Sequence, residues 1–266
     1  DGKIVAAGRS SDGSTENFAL VRYNIDGSLD LSFDGDGIVT TAVGLSSIAL
    51  SVAIQADGKI VAVGDSRNGS IDFALARYNT DGSLDPSFGG GGIVTTAISA
   101  GNDEILSMAI QPNGRIVAAG CYRGDTGDDF ALARYNPDGS LDHSFDGDGI
   151  VTTAVDPTSR YDAWAFSVAL QADGKIVAAG ARNGHAEGDF ALVRYNTNGS
   201  LDASFTNGTD GAVTSIVVQA DGKILVGGMF TTMAGQSRCY IGRLNQDGSL
   251  DNGFYTVSTN SPNGYV

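Results

Sequence analysis

One phrase recurs five times along this chain, and that repetition limits the fold more than any other feature. The tetrad Asp-Gly-Lys-Ile begins at Asp1, Asp57, Asp173 and Asp221, with Asn113-Gly114-Arg115-Ile116 as a fifth copy, at spacings of 56, 56, 60 and 48 residues. Arg-Tyr-Asn keeps step at Arg22, Arg77, Arg134 and Arg194, and Arg243-Leu244-Asn245 is its variant in the last copy. Asp-Gly-Ser-Leu-Asp or a close relative follows from Asp26, Asp81, Asp138, Asn198 and Asp247. A period of this length makes each copy one supersecondary unit that cannot bury its apolar face alone and must stack on its neighbours.

Four strands are expected in the second copy, Leu50 to Gln55, Lys59 to Gly64, Phe73 to Asn79 and Ile93 to Ile98, here called a, b, c and d. Their lengths suit strands rather than helices. Between a and b, the dipeptide Asp57-Gly58 predicts a two-residue type I′ hairpin turn. Along strand c, Phe73 and Leu75 point one way and Ala74 and Ala76 the other, so a large face can meet a small one. Four antiparallel strands at one period predict an all-β fold, a β-propeller of four-stranded blades, with a β-solenoid as the alternative.

The repeats fall near 1–49, 50–104, 105–164, 165–212 and 213–266, in a single propeller domain. Asp1 enters at an a-to-b turn, so the first copy lacks strand a, while Asn263-Gly264-Tyr265-Val266 aligns with Asp210-Gly211-Ala212-Val213, where a strand a begins. The expectation is a fragment of a longer chain whose further copies complete a larger ring. An open sheet edge is prone to association, so self-assembly is a second expectation.

Composition excludes some partners. A net charge of -15 and a pI near 4.2 repel the phosphate backbone, so no nucleic-acid partner is expected. No apolar run approaches the length of a membrane-spanning helix, and no membrane insertion is expected. Cys121 and Cys239 stand at non-equivalent places in different copies and suggest no disulfide framework.

The run Gln55 to Gly64, followed by Asp72-Phe73-Ala74-Leu75-Ala76-Arg77-Tyr78-Asn79 and Asp81-Gly82-Ser83-Leu84-Asp85-Pro86-Ser87-Phe88, resembles the delta-60 repeat of bacterial proteins. That resemblance implies a propeller-like fold and a secreted or cell-surface setting, and it brings no catalytic residues. From Phe205 onward the unit shortens, which puts strand d of the last blades in doubt.

In such blades the a-to-b and c-to-d connections share one face, and the b-to-c and d-to-a connections the other. The first set hardly changes between copies, and Leu84 and Phe88 are expected to fold back beneath the sheet. The second set varies: Arg9 to Asn17, Asp65 to Asp72, Cys121 to Asp129, Ala181 to Asp189 and Met229 to Arg238. Variation confined to one rim is where repeat proteins place recognition. Candidate binding residues there are Arg67, Arg123 and Arg182 as an anion-attracting set, with ion pairing to nearby acids as the competing role. The segment Asp156 to Trp164 adds Arg160, Tyr161 and Trp164, aromatic anchors of the kind common in sugar and protein interfaces.

Arg123-Gly124-Asp125 matches an adhesion tripeptide, which three residues in an Asp- and Gly-rich chain produce readily by chance. Asp34, Asp36, Asp146 and Asp148 are weak Ca²⁺ candidates, since Gly89 to Gly92 replace them in the second copy without loss of register. No cofactor is otherwise expected. His143 and His185 occupy different copies and join no nucleophile or metal cage. The expected function is an extracellular, non-catalytic scaffold for a protein or glycan at the cell surface. A polysaccharide-degrading hydrolase or lyase is the alternative, since paired carboxylates suffice for that chemistry.

Overall fold

The structure is a computed structural model that describes residues 2–124, 127–154, 162–182, 190–205 and 208–254. Every described element is a strand. The first sheet is β1 (Ile4–Ser11), β2 (Glu16–Tyr23) and β3 (Ile38–Thr41), in order β1-β2-β3. The second is β4 (Ser46–Ile54), β5 (Ile60–Arg67), β6 (Ile71–Tyr78) and β7 (Ile93–Thr96), in sequence order and antiparallel throughout. β8 (Asp103–Ile110), β9 (Ile116–Arg123), β10 (Asp128–Tyr135) and β11 (Ile150–Thr153) form a third sheet of the same order. β12 (Ala163–Leu170), β13 (Ile176–Arg182) and β14 (Phe190–Tyr195) form a fourth. In the last copy β15 (Val213–Val218), β16 (Ile224–Gly228) and β19 (Ile241–Leu244) form a sheet, with the hairpin β17 (Thr232–Met233) and β18 (Gln236–Ser237) between its second and third strands. The predicted a-b-c-d order therefore holds, and among the described residues the last two sheets lack strand d.

Two local expectations need correction. Gly58 has φ 85°, but Asp57 is not among the positive-φ residues, so the turn is not type I′. Gln55 N–H donates to the Lys59 carbonyl and Gly58 N–H to the Gln55 carbonyl, the pattern of a type I turn closed by a left-handed glycine. The Asp57 carboxylate accepts the Lys59 N–H at 3.1 Å, which favours this shape over the primed turn. Strand b is also longer than expected. β5 runs through Asp65-Ser66-Arg67, because its pairing with β6 continues as far as Arg67↔Ile71.

Contacts divide the chain into two compact units, Asp1–Ala118 with Arg134–Asp142, and Ala119–Ala133 with His143–Val266. In the first, Phe18, Leu20 and Val39 of the first sheet pack on Ala62, Ala74 and Ala76 of the second, with Ile60 and Tyr78 closing the cluster. A bulky face thus sits on a face of small side chains, as the alternation in strand c predicts. The second unit has its own core around Val213, Ile216, Val226, Phe230 and Leu244.

Within each unit, successive copies are joined by one repeated lock. Arg77 Nε donates to Asp85 Oδ2 at 2.7 Å, Lys59 Nζ reaches the same oxygen at 2.8 Å, and the guanidinium lies 4.6 Å over the Phe88 ring. Arg77 Nη1 then donates to the Pro137 carbonyl of the following copy, and Gly89 N–H to the Asp138 carbonyl at 2.8 Å. Arg22 with Asp30, Lys3 and Phe33 repeats the arrangement, as do Arg194 with Asp202, Lys175 and Phe205, and Arg243 with Asp251, Lys223 and Phe254. In the third copy Arg134 and Arg115 meet Asp142.

Tyrosine supplies a second lock. Tyr78 bonds Thr41 at 2.8 Å, Tyr135 bonds Thr96 at 2.9 Å and Tyr195 bonds Thr153 at 2.8 Å, each threonine lying on strand d of the preceding copy. The last copy puts Leu244, 1% exposed, in the tyrosine's place. No strand d is described in the copy before it, so a hydroxyl there would have no threonine to meet, and an apolar side chain is the better fit.

Candidate functional site

The repeated acids are fully engaged. Asp85 accepts Lys59, Arg77, the Ser87 N–H and the Ser87 hydroxyl. Burial opposes its charge, but these partners hold its carboxyl well below the usual range. Asp30 and Asp202 are held low as well, chiefly by Lys3 and Lys175, and Asp251 is lowered to about 2, chiefly by Lys223. Such carboxylates have little capacity left for a ligand. A shallow hollow of about 530 Å³ does lie over the repeated turns, lined by Ser87, Gly89, Gly90, Asp138 and Ser140. Asp138 is already bound to the N–H and hydroxyl of Ser140.

The variable rim is different. The residue after the strand-b glycine is Arg9, Asp65, Cys121, Ala181 or Met229 in successive copies, so one place in the fold carries five unlike side chains. In the first unit, the ends of β1, β2, β4 and β5 enclose a cavity of about 220 Å³. Arg9, Glu16, Ser46, Ser47, Asp65 and Arg67 line it, with Ile48 and Leu50. Arg9 and Glu16 pair at 2.8 Å. Ser47 is 3% exposed and its hydroxyl has no hydrogen-bond partner, an uncommon state for a buried polar group.

Asp65 is the unusual acid. It is half-buried at the end of β5 and accepts the Ile105 N–H at 3.0 Å. Burial raises its pKa from 3.8 to about 7, with Glu104 adding to the rise and the Ile105 bond and Arg67 opposing it. A carboxyl that titrates near neutrality can donate or accept a proton or a hydrogen bond at physiological pH.

The expected site residues are placed as follows. Arg67 ends β5 and lines this cavity. Arg123 ends β9, and its charge is met by Asp128 at 2.8 Å and Asp162 at 3.5 Å, the competing ion-pair role. Trp164 is on β12 rather than in a loop, half-buried, with its ring 6.4 Å from Phe166. The placement in a loop fails because strand a starts at Ala163, whose pairing with Arg182 extends the hairpin. Arg160, Tyr161, Asp125 and His185 lie outside the described residues, as does the side chain of Arg182.

Asp36 and Asp148 each accept a backbone N–H two residues on, at 2.8 Å, while Asp34 and Asp146 hold φ 52° in the same turns. Among the described residues no group of three or more acids, histidines or cysteines is placed to hold a metal. Both cysteines are free thiols. Asp65, Glu16 and Ser47 were not singled out from sequence. The one available signal was a charged residue in a strand position that is Cys, Ala or Met in later copies.

Repeated four-stranded antiparallel units, locked through their turns and varied along one rim, define a β-propeller repeat protein. The chain belongs to the family described as domain of unknown function (DUF5122) beta-propeller, whose model matches residues 1–33, 55–88, 111–145, 171–205 and 219–254. These matches cover the motifs that carry the delta-60 resemblance. No curated protein matches the chain. Among solved structures, a protein of unknown function from Dyadobacter fermentans is similar at 14% identity and a TM-score of 0.57, over 94% of this chain and 78% of that one. The periplasmic gluconolactonase of Pseudomonas aeruginosa shows 15% identity and a TM-score of 0.47, over 94% and 69%. A surface component of the Porphyromonas gingivalis type-IX secretion system shows 11% and 0.45, over 97% and 34%. The first of these likenesses supports the propeller fold.

Proposed function

We propose that this protein is an extracellular binding scaffold that recognises a protein or glycan through its variable rim, without catalysis. The observation that carries the reading is the contrast between the two faces. The five repeated acids are consumed by the locks, whereas the cavity beside Asp65 gathers polar groups of both charges and an unpartnered Ser47 hydroxyl. Mixed donors and acceptors beside Ile48 and Leu50 suit a ligand that is itself polar on one side and apolar on the other, as sugar rings are.

The test is a glycan array and a surface-protein capture screen with the whole chain, followed by titration of any hit against Asp65→Asn and Arg67→Ala. Loss of at least about tenfold in affinity for both variants supports the rim. A hit that both variants bind unchanged refutes it.

One observation favours a second reading. A carboxyl with a pKa near 7, with Glu104 adding to its rise, is the type of group a hydrolase or lyase uses as general acid or base. Turnover of an oligosaccharide by the wild type, abolished in Asp65→Asn, would establish that reading and displace the first.

A further inference from the structure

β1 differs from its counterparts. β5, β13 and β16 each lie between an inner strand and a third strand, whereas β1 pairs with β2 alone among the described residues. Its sequence is nevertheless that of a covered strand, Ile4-Val5-Ala6-Ala7-Gly8 against Ile60-Val61-Ala62-Val63-Gly64. Ile60 is 1% exposed and Ile4 is 61% exposed.

The glycine says more. At Gly64, Gly180 and Gly228 an added Cβ would stand 1.9, 1.8 and 2.1 Å from an inner-strand carbonyl, those of Ile48, Trp164 and Ala212. Each carbonyl is pressed in by a bulge, where the register shifts between Ala49 and Ser51, Ala165 and Ser167, and Val213 and Ser215. At Gly8 nothing lies within 4 Å. A glycine inside a strand weakens it and marks a bulge or a close backbone approach, and here the approaching backbone is missing.

We propose that the free edge of β1 is a docking site for one antiparallel strand of this repeat's own inner type, with its bulged carbonyl seated against Gly8. The occupant carries the pattern shared by Ser51-Val52-Ala53-Ile54-Gln55, Ser107-Met108-Ala109-Ile110-Gln111, Ser167-Val168-Ala169-Leu170-Gln171 and Ser215-Ile216-Val217-Val218-Gln219. The register follows from the second sheet, where Ile54 faces Ile60 and Ser51 faces Val63, so the docked isoleucine lies opposite Ile4 and the serine opposite Ala7. Main-chain bonds supply affinity in such strand addition, and the bulge supplies selectivity. The occupant is a strand not engaged in a sheet of its own. In a second folded copy of this chain, β4, β8, β12 and β15 are already paired.

The probe is a labelled peptide with the sequence of residues 46–58, carrying added lysines for solubility, titrated into the whole chain. Saturable binding is expected, with hydrogen-exchange protection of alternate β1 amides and a rise in Tm. A scrambled peptide should do neither. Gly8→Ala should fold with unchanged Tm, since its methyl meets nothing, yet bind the peptide at least about tenfold more weakly. Equal binding by wild type and Gly8→Ala, no β1 protection, or equal binding of the scrambled peptide would overturn the proposal. So would a concentration-dependent dimer that protects β1 without peptide, which would make a second copy the occupant. A Gly8→Ala protein that fails to fold would show that the space beside Gly8 is already filled.

Discussion

Asp65→Asn should make the protein more stable at pH 8 while leaving it unchanged near pH 4. The sign follows from linkage. Burial raises the folded-state pKa to about 7 from 3.8, so between those values the folded protein holds a proton that the unfolded chain releases. Stability therefore falls as pH rises from about 4 to 7 and stays reduced above that. The full difference corresponds to about 4 kcal/mol, and partial solvent exposure at the rim reduces the expected effect to about 2 kcal/mol. Asparagine keeps an oxygen for the Ile105 N–H, so the hydrogen bond survives while the charge does not. Urea unfolding of both proteins at half-unit steps from pH 4.5 to 8.5 reads this directly. The wild type should lose stability across the range relative to the variant, and the two curves should meet at the acid end. Parallel curves would mean that Asp65 is ordinary, and the argument for the cavity would lose its strongest element.

Three further outcomes test the locks. Asp85→Ala leaves Arg77, with a side chain 7% exposed, beside Lys59 with no carboxylate between them, and should cost about 3 kcal/mol in urea unfolding; a loss below about 1 kcal/mol would show that the node contributes little. Tyr135→Phe strands the Thr96 hydroxyl and should cost about 1–2 kcal/mol, whereas Leu244→Tyr should bring no gain, because no threonine faces it. The node acids titrate below their ordinary value, so their stabilisation is present above about pH 4 and is lost as pH falls toward 2. Acid unfolding followed by circular dichroism should steepen there and should weaken in Lys59→Met; stability that is flat down to pH 2 would contradict the assignment.

The repeat, the strand order and the large-on-small packing were legible because each is local and recurs. What was lost is informative. Asp-Gly alone does not choose between a primed turn and a type I turn closed by glycine; the Asp57 side chain, by accepting the Lys59 N–H, decides it. Strand b was cut short because Asp65-Ser66-Arg67 is polar, although its backbone goes on pairing. The ionic node was hidden by distance along the chain, since Lys3 and Asp30 stand 27 residues apart and meet only once the sheet has formed. Asp65 looked like any rim acid, because burial, which sets its behaviour, is a property of the packed neighbour β8.

That burial also bears on function. Every repeated polar group returns a structural benefit: Asp85 neutralises two cations, Tyr135 closes a gap between copies, and Gly64 admits a bulge. Side chains after the strand-b glycine can change freely, since strand pairing there uses only main-chain groups, and Arg9, Asp65, Cys121 and Met229 show how widely they do. At most of these places the choice is neutral or mildly favourable. At Asp65 it is costly at neutral pH, and the neighbouring Ser47 hydroxyl is buried without reward. Two unreturned costs side by side, in a cavity, on the rim where copies differ, are what a fold tolerates when something outside the chain supplies the missing partner.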